Sequence, residues 1–294
     1  MSRKADRVPF SAVWMPVIRD RHLRLWEDTA RLMERNGGID PGFLSHGVPW
    51  REVRDEALTQ VQALRDADLY FVRSDMVSLA VHAAVDDGEL PFVEPPSDCG
   101  YMLFEGGLCP TTDETREVVR MYGLLWWIGD DDHIHYDTLA DVMFDRMRVR
   151  VRKRAGMDDA RDARDLGAGW HDPDSFLSRV LRALWALMAE PSVAEVAQGA
   201  SAARLERVPA RVSEQARRVR VIDVREHNEP ERVDGDGSRR YRPYDHRFIV
   251  SGHWREQACG PNHSERRRRW IAPYVKGPKD KPLVLKDTVR VLRA

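Results

Sequence analysis

Lysine is scarce in this chain, and its scarcity leaves almost all of the positive charge to arginine. Only six of the 47 basic residues are Lys, so 41 are Arg, and the formal net charge is −1. Arginine suits phosphate and base recognition, because its planar guanidinium donates paired hydrogen bonds. A GC-rich genome also favours arginine codons, so only clustered arginines carry information about function.

Other features are missing as well, and each absence argues against a class of protein. No apolar run approaches the ~18 residues of a membrane span, and the N-terminus lacks the apolar region of a secretory signal. The three cysteines, Cys99, Cys109 and Cys259, cannot all pair, which fits a reducing compartment. The phosphate loops GxGxxG and GxxxxGK are absent, which argues against the common nucleotide-driven enzymes. We therefore expect a cytoplasmic protein with no membrane partner and no cofactor.

What is present is typical of a globular protein. The chain has 294 residues, of which 42% are hydrophobic and 32% charged, enough for one large domain or two modest ones. We predict an α+β fold: an N-terminal helical part, then a mixed, mainly antiparallel sheet with a packed helix, then a basic β-rich end. The three parts are residues 1–94, 95–210 and 211–294, which can also form one continuous domain.

Local patterns place the elements. Helical spacing occurs from Leu23 to Met33, Pro49 suits the first turn of a second helix, and Ser74 is a suitable N-cap for a third. The packed helix runs from Asp172 to Pro191, and residues 226–238 form a polar loop. Apolar runs predict strands at Gly100–Leu108, Val118–Ile128, Ala140–Arg152, Val219–Val224, Phe248–Val250, Trp270–Val275, Leu283–Leu285 and Val289–Leu292.

Residues 239–276 concentrate the positive charge. They include ten Arg or Lys against three acids, a local excess of seven charges. Phosphates bind Arg and unstacked bases stack on Trp, so this segment predicts a nucleic-acid surface. The predicted binding residues are Trp254, Arg255, Arg266, Arg268 and Trp270. On a strand, Arg266, Arg268 and Trp270 would share one face. The alternative is a solvated edge strand protected by its charge, with both tryptophans in the core.

An Asp- and His-rich break at residues 130–135 separates two apolar runs. Three Asp, His133 and His135 supply metal-ligand types, and alternate residues of a strand share a face. Clustered Asp between apolar strands is also typical of a hairpin turn. We predict an exposed hairpin here and no metal site.

The C-terminal histidines are candidates for metal binding or catalysis. His246, His253, Cys259 and His263 are zinc-ligand types, although their spacing matches no paired-ligand motif. Cys259 with His253 or His263 as base would be a nucleophile, but the surrounding residues form no nucleophile motif. As catalytic candidates in an enzyme that acts on nucleic acid we name His246, His253 and Arg255.

Several short segments resemble an anti-CRISPR family. The residues that carry the resemblance are Ser251, Gly252, His253, Trp254, Gly260, Trp270 and Pro273. They match a C-terminal signature of Gly-His-Trp, a glycine turn, an Arg-rich strand and Trp-x-x-Pro. Pro96–Glu105 and Leu181–Pro191 resemble a family strand and helix in the same order. The founding member of the family acts against the type V-A CRISPR nuclease.

The resemblance implies an accessory protein of a phage or plasmid. The founding member is described as lowering production of the nuclease rather than blocking its active site. Carried over, Gly252, His253 and Trp254 are either a recognition surface or a packing core, and we expect Trp254 to be buried. The chain departs from the family pattern at Arg255, at Ala258-Cys259 and at Lys276-Gly277.

Three function hypotheses follow. The first is a mobile-element protein, anti-CRISPR-like, that lowers expression of a target by binding nucleic acid or a ribonucleoprotein. The second is an enzyme that cleaves or modifies nucleic acid. The third is a module that binds a host or competitor protein without nucleic acid. A non-enzymatic role is favoured, because no nucleophile or metal motif stands out.

Overall fold

The structure is a computed structural model that describes residues 7–35, 49–85, 90–108, 110–112, 118–129, 132–150, 176–225, 244–278 and 280–285. The helices are α1 Met15–Arg35, α2 Trp50–Asp66, α3 Ser74–Val85, α4 Asp141–Arg146, α5 Phe176–Met188, α6 Ala202–Leu205 and α7 Ala210–Ala216. The strands are β1 Val8–Pro9, β2 Asp68–Val72, β3 Cys99–Phe104, β4 Pro110–Thr112, β5 Val118–Ile128, β6 Ile134–Ala140, β7 Val149–Arg150, β8 Ala194–Gln198, β9 Arg220–Val224, β10 Phe248–Val250, β11 His253–Cys259, β12 Glu265–Ile271 and β13 Tyr274–Lys276. The predicted α+β class is confirmed.

The chain forms two compact units. The first comprises Met1–Ser74, Pro95–Gly167 and Val196–Ile222; the second comprises Asp75–Glu94, Ala168–Glu195 and Asp223–Ala294. Among the described helices, none is long and apolar enough to cross a membrane.

A mixed sheet forms the centre of the first unit, with strand order β4-β5-β3-β2-β9-β8. Strand β2 is parallel to both β3 and β9. Strand β5 is antiparallel to β3, and β4 and β6 pair with successive stretches of β5. The sheet is therefore parallel at its middle and antiparallel on the β5 side.

Helices α1 and α2 bury apolar stripes in the core of this unit. Met15 and Ile18 of α1 and Leu64 of α2 are fully buried, and they belong to one cluster with Phe71 and Leu103 of the sheet. Burial of each such side chain stabilises the fold by about 1.5–3 kcal/mol. The helices therefore need apolar residues at helical spacing, and this spacing is visible in the sequence. The predicted helices at α1, α2, α3 and α5 are all present.

Three predictions in this region were wrong. Ala140–Arg152 was predicted as a strand, but it contains α4 and the short β7, because Phe144 and Met147 are buried at helical spacing. The part predicted as helical contains β2, whose last four residues are buried. A five-residue apolar run lacks a period that distinguishes strand from helix. Strand β6 also begins inside the segment predicted as a turn.

The turn itself is shorter than predicted. Gly129 N donates to His133 O at 2.9 Å, and Asp132 and His133 are exposed. His135 already belongs to β6, and its ring stacks on that of Trp127 with centroids 5.7 Å apart. Residues 130 and 131 lie outside the described residues, as do the predicted loop at 226–238 and the predicted strand Val289–Leu292.

A row of residues beneath α1 and α2 mixes apolar and polar side chains. Tyr101, Leu125 and Asp137 lie directly opposite one another on β3, β5 and β6. Burial raises the pKa of Asp137 to about 6, although the Thr138 N–H, which donates to its Oδ1 at 2.8 Å, acts in the opposite direction. Within the described part of the chain, the buried Tyr101 hydroxyl and Gln60 Oε1 have no hydrogen-bond partner. The interior is thus more polar here than its apolar cluster suggests.

The raised pKa of Asp137 predicts a stability that falls as pH rises. A folded-state pKa near 6 against an ordinary value of 3.8 means that the native protein binds the proton more tightly than the unfolded chain. Stability should therefore decline between about pH 4 and 6 and stay lowered above that window. Asp137→Asn should remove this penalty and stabilise the protein by up to about 3 kcal/mol at pH 7.5, with little effect at pH 4.

Urea unfolding between pH 4 and 8 measures the effect. Asp28→Asn is the matched control, because Asp28 has a side chain that is 74% exposed. Equal pH profiles for the Asp137→Asn variant and the wild type would show that the carboxyl is not desolvated.

Candidate nucleic-acid interface

The C-terminal strands of the second unit form one long antiparallel ribbon with a break in the middle. Strand β10 pairs with β13, and β11 pairs with β12. The register does not shift across the break, since Val250 lies opposite Tyr274 and His253 lies opposite Ile271. Pro273 lies in the break and has no backbone N–H to donate to the ladder.

Gly252 makes this break possible. A Cβ atom at Gly252 would lie 2.7 Å from Cδ of Pro273 and 2.9 Å from the carbonyl oxygen of Ile271. Both distances are shorter than van der Waals contact, so no larger residue fits without a shift of the facing strand. The two halves of the family-like signature therefore meet: Gly252 packs on Pro273, and Trp254 lies opposite Trp270.

The base of the ribbon is held to helix α3 in the same unit. Arg247 Nη1 donates to Asp75 Oδ2 at 2.6 Å, and this ion pair is largely buried. His82 Nε2 lies 2.9 Å from Ser251 Oγ, beside the break. Arg247 Nε also donates to the carbonyl oxygen of Lys281 at 2.7 Å. These contacts hold the β10–β13 half of the ribbon, on the far side of the break from the β11–β12 hairpin.

The β11–β12 hairpin has two faces of different chemistry. Directly opposite residues of an antiparallel pair share a face, and neighbours along a strand alternate. The tryptophan face consists of Trp254, Glu256, Ala258, Arg266, Arg268 and Trp270. The arginine face consists of His253, Arg255, Gln257, Cys259, Glu265, Arg267, Arg269 and Ile271.

The arginine face concentrates unpaired positive charge. Arg255 lies directly opposite Arg269, and Arg267 is two residues along the same strand. All three side chains are exposed, and none forms an ion pair or side-chain hydrogen bond with any residue that the structure describes. The acidic residue of this face is Glu265, and its side chain lies against the turn at Gly260. Like charges directly opposite on a sheet are unfavourable, so this arrangement suits an anionic ligand.

The tryptophan face is partly occupied by its own side chains. The guanidinium of Arg268 lies 4.4 Å from the ring centroid of Trp254. Trp254 and Trp270 are half-buried. The prediction that Trp254 is a core residue was therefore wrong, because a two-stranded ribbon covers a side chain only partially.

The predicted binding residues fall on both faces. Arg266, Arg268 and Trp270 share the tryptophan face, as alternation along β12 requires. Arg255 is on the arginine face with Arg267 and Arg269, which were not among the predicted binding residues. Only the cross-strand register reveals this grouping, and a single sequence does not contain it.

The catalytic candidates are distributed differently. His253 and Arg255 lie on one face of β11, whereas His246 precedes β10 on the other side of the break. His246 Nδ1 lies 2.5 Å from Asp245 Oδ1, and this hydrogen bond lowers the pKa of the Asp245 carboxyl. No three His, Cys, Asp or Glu side chains among the described residues converge as metal ligands.

A cavity in the first unit was not foreseen from the sequence. Its volume is about 550 Å³, and Asp66, Asp68, Asp98, Cys99 and Trp127 line it in part. Burial first, and then the three carboxylates, raise the pKa of the Cys99 thiol to about 12, so it remains protonated at neutral pH. Cys99 Sγ lies 3.0 Å from the carbonyl oxygen of Ala63, to which it donates. These residues come from separate segments of the chain, so no local sequence motif indicates the cavity.

No protein-family model matches the chain, and no curated protein matches it significantly. The ribbon geometry is therefore the basis for assigning a function.

The close approach at Gly252 predicts a specific loss of stability. Gly252→Ala should destabilise the protein by about 1–3 kcal/mol, because the added methyl overpacks the break. Pro273→Ala in the same chain should recover part of this loss, since it removes Cδ but leaves the Ile271 carbonyl oxygen in place. Thermal unfolding of the two single variants and the double variant measures the coupling. A Gly252→Ala protein as stable as the wild type would refute the packing role.

Proposed function

We propose that this chain is a cytoplasmic, non-enzymatic protein of a phage or plasmid that binds nucleic acid, free or in a ribonucleoprotein, through its C-terminal ribbon. The observation that supports it most is the arginine face, where Arg255, Arg267 and Arg269 are exposed without a counter-ion among the described residues. A polyanion would supply the missing negative charge. Each neutralised phosphate would also release counterions, which favours binding at low salt.

The biological role follows the family resemblance. Binding of a transcript or of its template lowers production of the encoded protein, which is the mode that the resemblance implies. An anti-CRISPR-like function thus requires no catalytic residue in this chain. Gly252, Trp254 and Pro273 then act by shaping the ribbon, and the arginines act by contacting the ligand.

The first test is the salt dependence of nucleic-acid binding. The full chain should bind mixed-sequence DNA or RNA with an affinity that falls steeply as salt rises. Replacing Arg255, Arg267 and Arg269 together with Gln should reduce the slope of log affinity against log salt by about 2.7 for duplex DNA, or about 2.1 for single strands. Fluorescence anisotropy with labelled oligonucleotides gives both slopes.

The matched control is a triple variant in the first unit. Arg204, Arg207 and Arg218 are also exposed, so their replacement with Gln removes the same charge from another surface. It should leave the slope unchanged. No binding at low salt would favour the protein-binding module, whereas equal effects of the two triple variants would show that the ribbon is not the specific binding surface.

The second test is performed in cells. In bacteria that carry a type V-A CRISPR nuclease, the chain should lower the amount of nuclease and restore plasmid transformation. The arginine-face triple variant should accumulate normally and fail in both respects. Immunoblotting and transformation counts measure the outcome. Unchanged nuclease levels with abundant wild-type chain would exclude this target, whatever the binding assay shows.

A further inference from the structure

We infer that the β11–β12 hairpin binds in the major groove of double-stranded DNA and that its arginine face reads base edges there. This inference rests on the proposed function, since it names the class of nucleic acid and the face that contacts it. A two-stranded antiparallel ribbon is one of the two elements that the roughly 12 Å wide groove admits. The hairpin has seven residues in each strand; five of the seven in β12 and three of the seven in β11 are exposed, and the others are half-buried.

The dimensions agree with this mode. Seven residues of strand extend over about 23 Å at ~3.3 Å each, which corresponds to roughly two-thirds of a turn of B-form DNA. The hairpin stands beyond the break at Gly252, while the contacts of Arg247 and His82 fix the opposite end of the ribbon to α3. The anchored end and the ligand-binding end are therefore separate.

The residue types on the arginine face are those that recognise bases. Arginine donates two hydrogen bonds to O6 and N7 of guanine, and glutamine pairs with N6 and N7 of adenine. Arg255, Arg267 and Arg269 are exposed beside Gln257, which lies opposite Arg267. Arginine also binds phosphate through the same paired donors, so it is the amide of Gln257 beside the arginines that adds a side chain suited to adenine. This face therefore contains side chains for base recognition as well as for charge neutralisation.

The tryptophan face argues against a single-stranded ligand. Nonspecific single-strand binding uses flat aromatic rings on which successive bases stack. Trp254 and Trp270 are half-buried, and the guanidinium of Arg268 already covers one face of the Trp254 ring. Duplex RNA is disfavoured as well, because its major groove is too deep and narrow for side chains to read. Duplex DNA is the ligand that fits both faces.

Binding of the full chain to three matched ligands tests the inference. The ligands are a 20-base-pair DNA duplex of mixed sequence, one of its single strands, and the corresponding RNA duplex. The DNA duplex should bind about tenfold more tightly than either of the others. Selection from a duplex with a randomised centre should then enrich sites that contain guanine.

Two substitutions separate base reading from charge. Arg255→Lys with Arg269→Lys keeps the charge, so affinity for unselected duplex should stay within about twofold, but preference for the selected site should fall about tenfold. Arg255→Gln with Arg269→Gln should lose both, and its salt slope should decrease by about 1.8. Arg204→Lys with Arg207→Lys in the first unit should bind as the wild type does. Unchanged melting temperatures establish that each variant is folded.

The outcomes distinguish this inference from the proposed function. Single-stranded DNA or duplex RNA bound as tightly as duplex DNA would overturn groove binding and leave nucleic-acid binding in place. A selected-site preference that is absent, or that survives the lysine double variant, would overturn base reading by this face. No binding to any of the three ligands at low salt would overturn the inference and the proposed function together.

Discussion

The contact between Gly252 and Pro273 is the constraint on which the C-terminal ribbon depends. At this contact the two strands lie very close together, and the hydrogen-bond ladder between them is interrupted. The pairing register is nevertheless the same on both sides of the break. Because the register is kept, Trp254 faces Trp270 and Arg255 faces Arg269 beyond the break. A slip of one residue would exchange the two faces of the strand. The chemistry of the arginine face therefore depends on a packing contact at the end of the hairpin that adjoins the break.

The sequence was sufficient for elements whose pattern is long. Helices α1, α2, α3 and α5 bury apolar stripes, so their periodicity was visible, and β5 is an apolar run interrupted only by Arg120 and Gly123. It was insufficient for β2, where five residues are too few to show a period, and for α4, where apolar spacing within a short segment suited a strand equally well. The order of strands in the sheet could not be predicted from the sequence, because β9 pairs with β2 across a long separation in the chain.

The candidate site was partly predictable for the same reason. The concentration of arginine and the alternation along β12 are local properties, and they placed Arg266, Arg268 and Trp270 on one face. The more exposed face depends on which residue of β11 lies opposite each arginine, and this is a property of the folded hairpin. The cavity beside Cys99 was even less predictable, since the residues that line it include members of α2, β3 and β5. Charge clusters are visible in a sequence, whereas the partners across a strand or a cavity are not.

The paired arginines also influence the protein when no ligand is bound. Each edge of a two-stranded ribbon presents unpaired backbone groups that another strand could join, and repulsion between arginines keeps such edges apart. The same repulsion weakens the hairpin itself, because Arg255 and Arg269 face each other. Multivalent anions such as sulfate or phosphate should then tighten each hairpin while they lower the barrier to edge-to-edge association. The choice of buffer anion is therefore expected to affect hairpin stability and self-association in opposite directions.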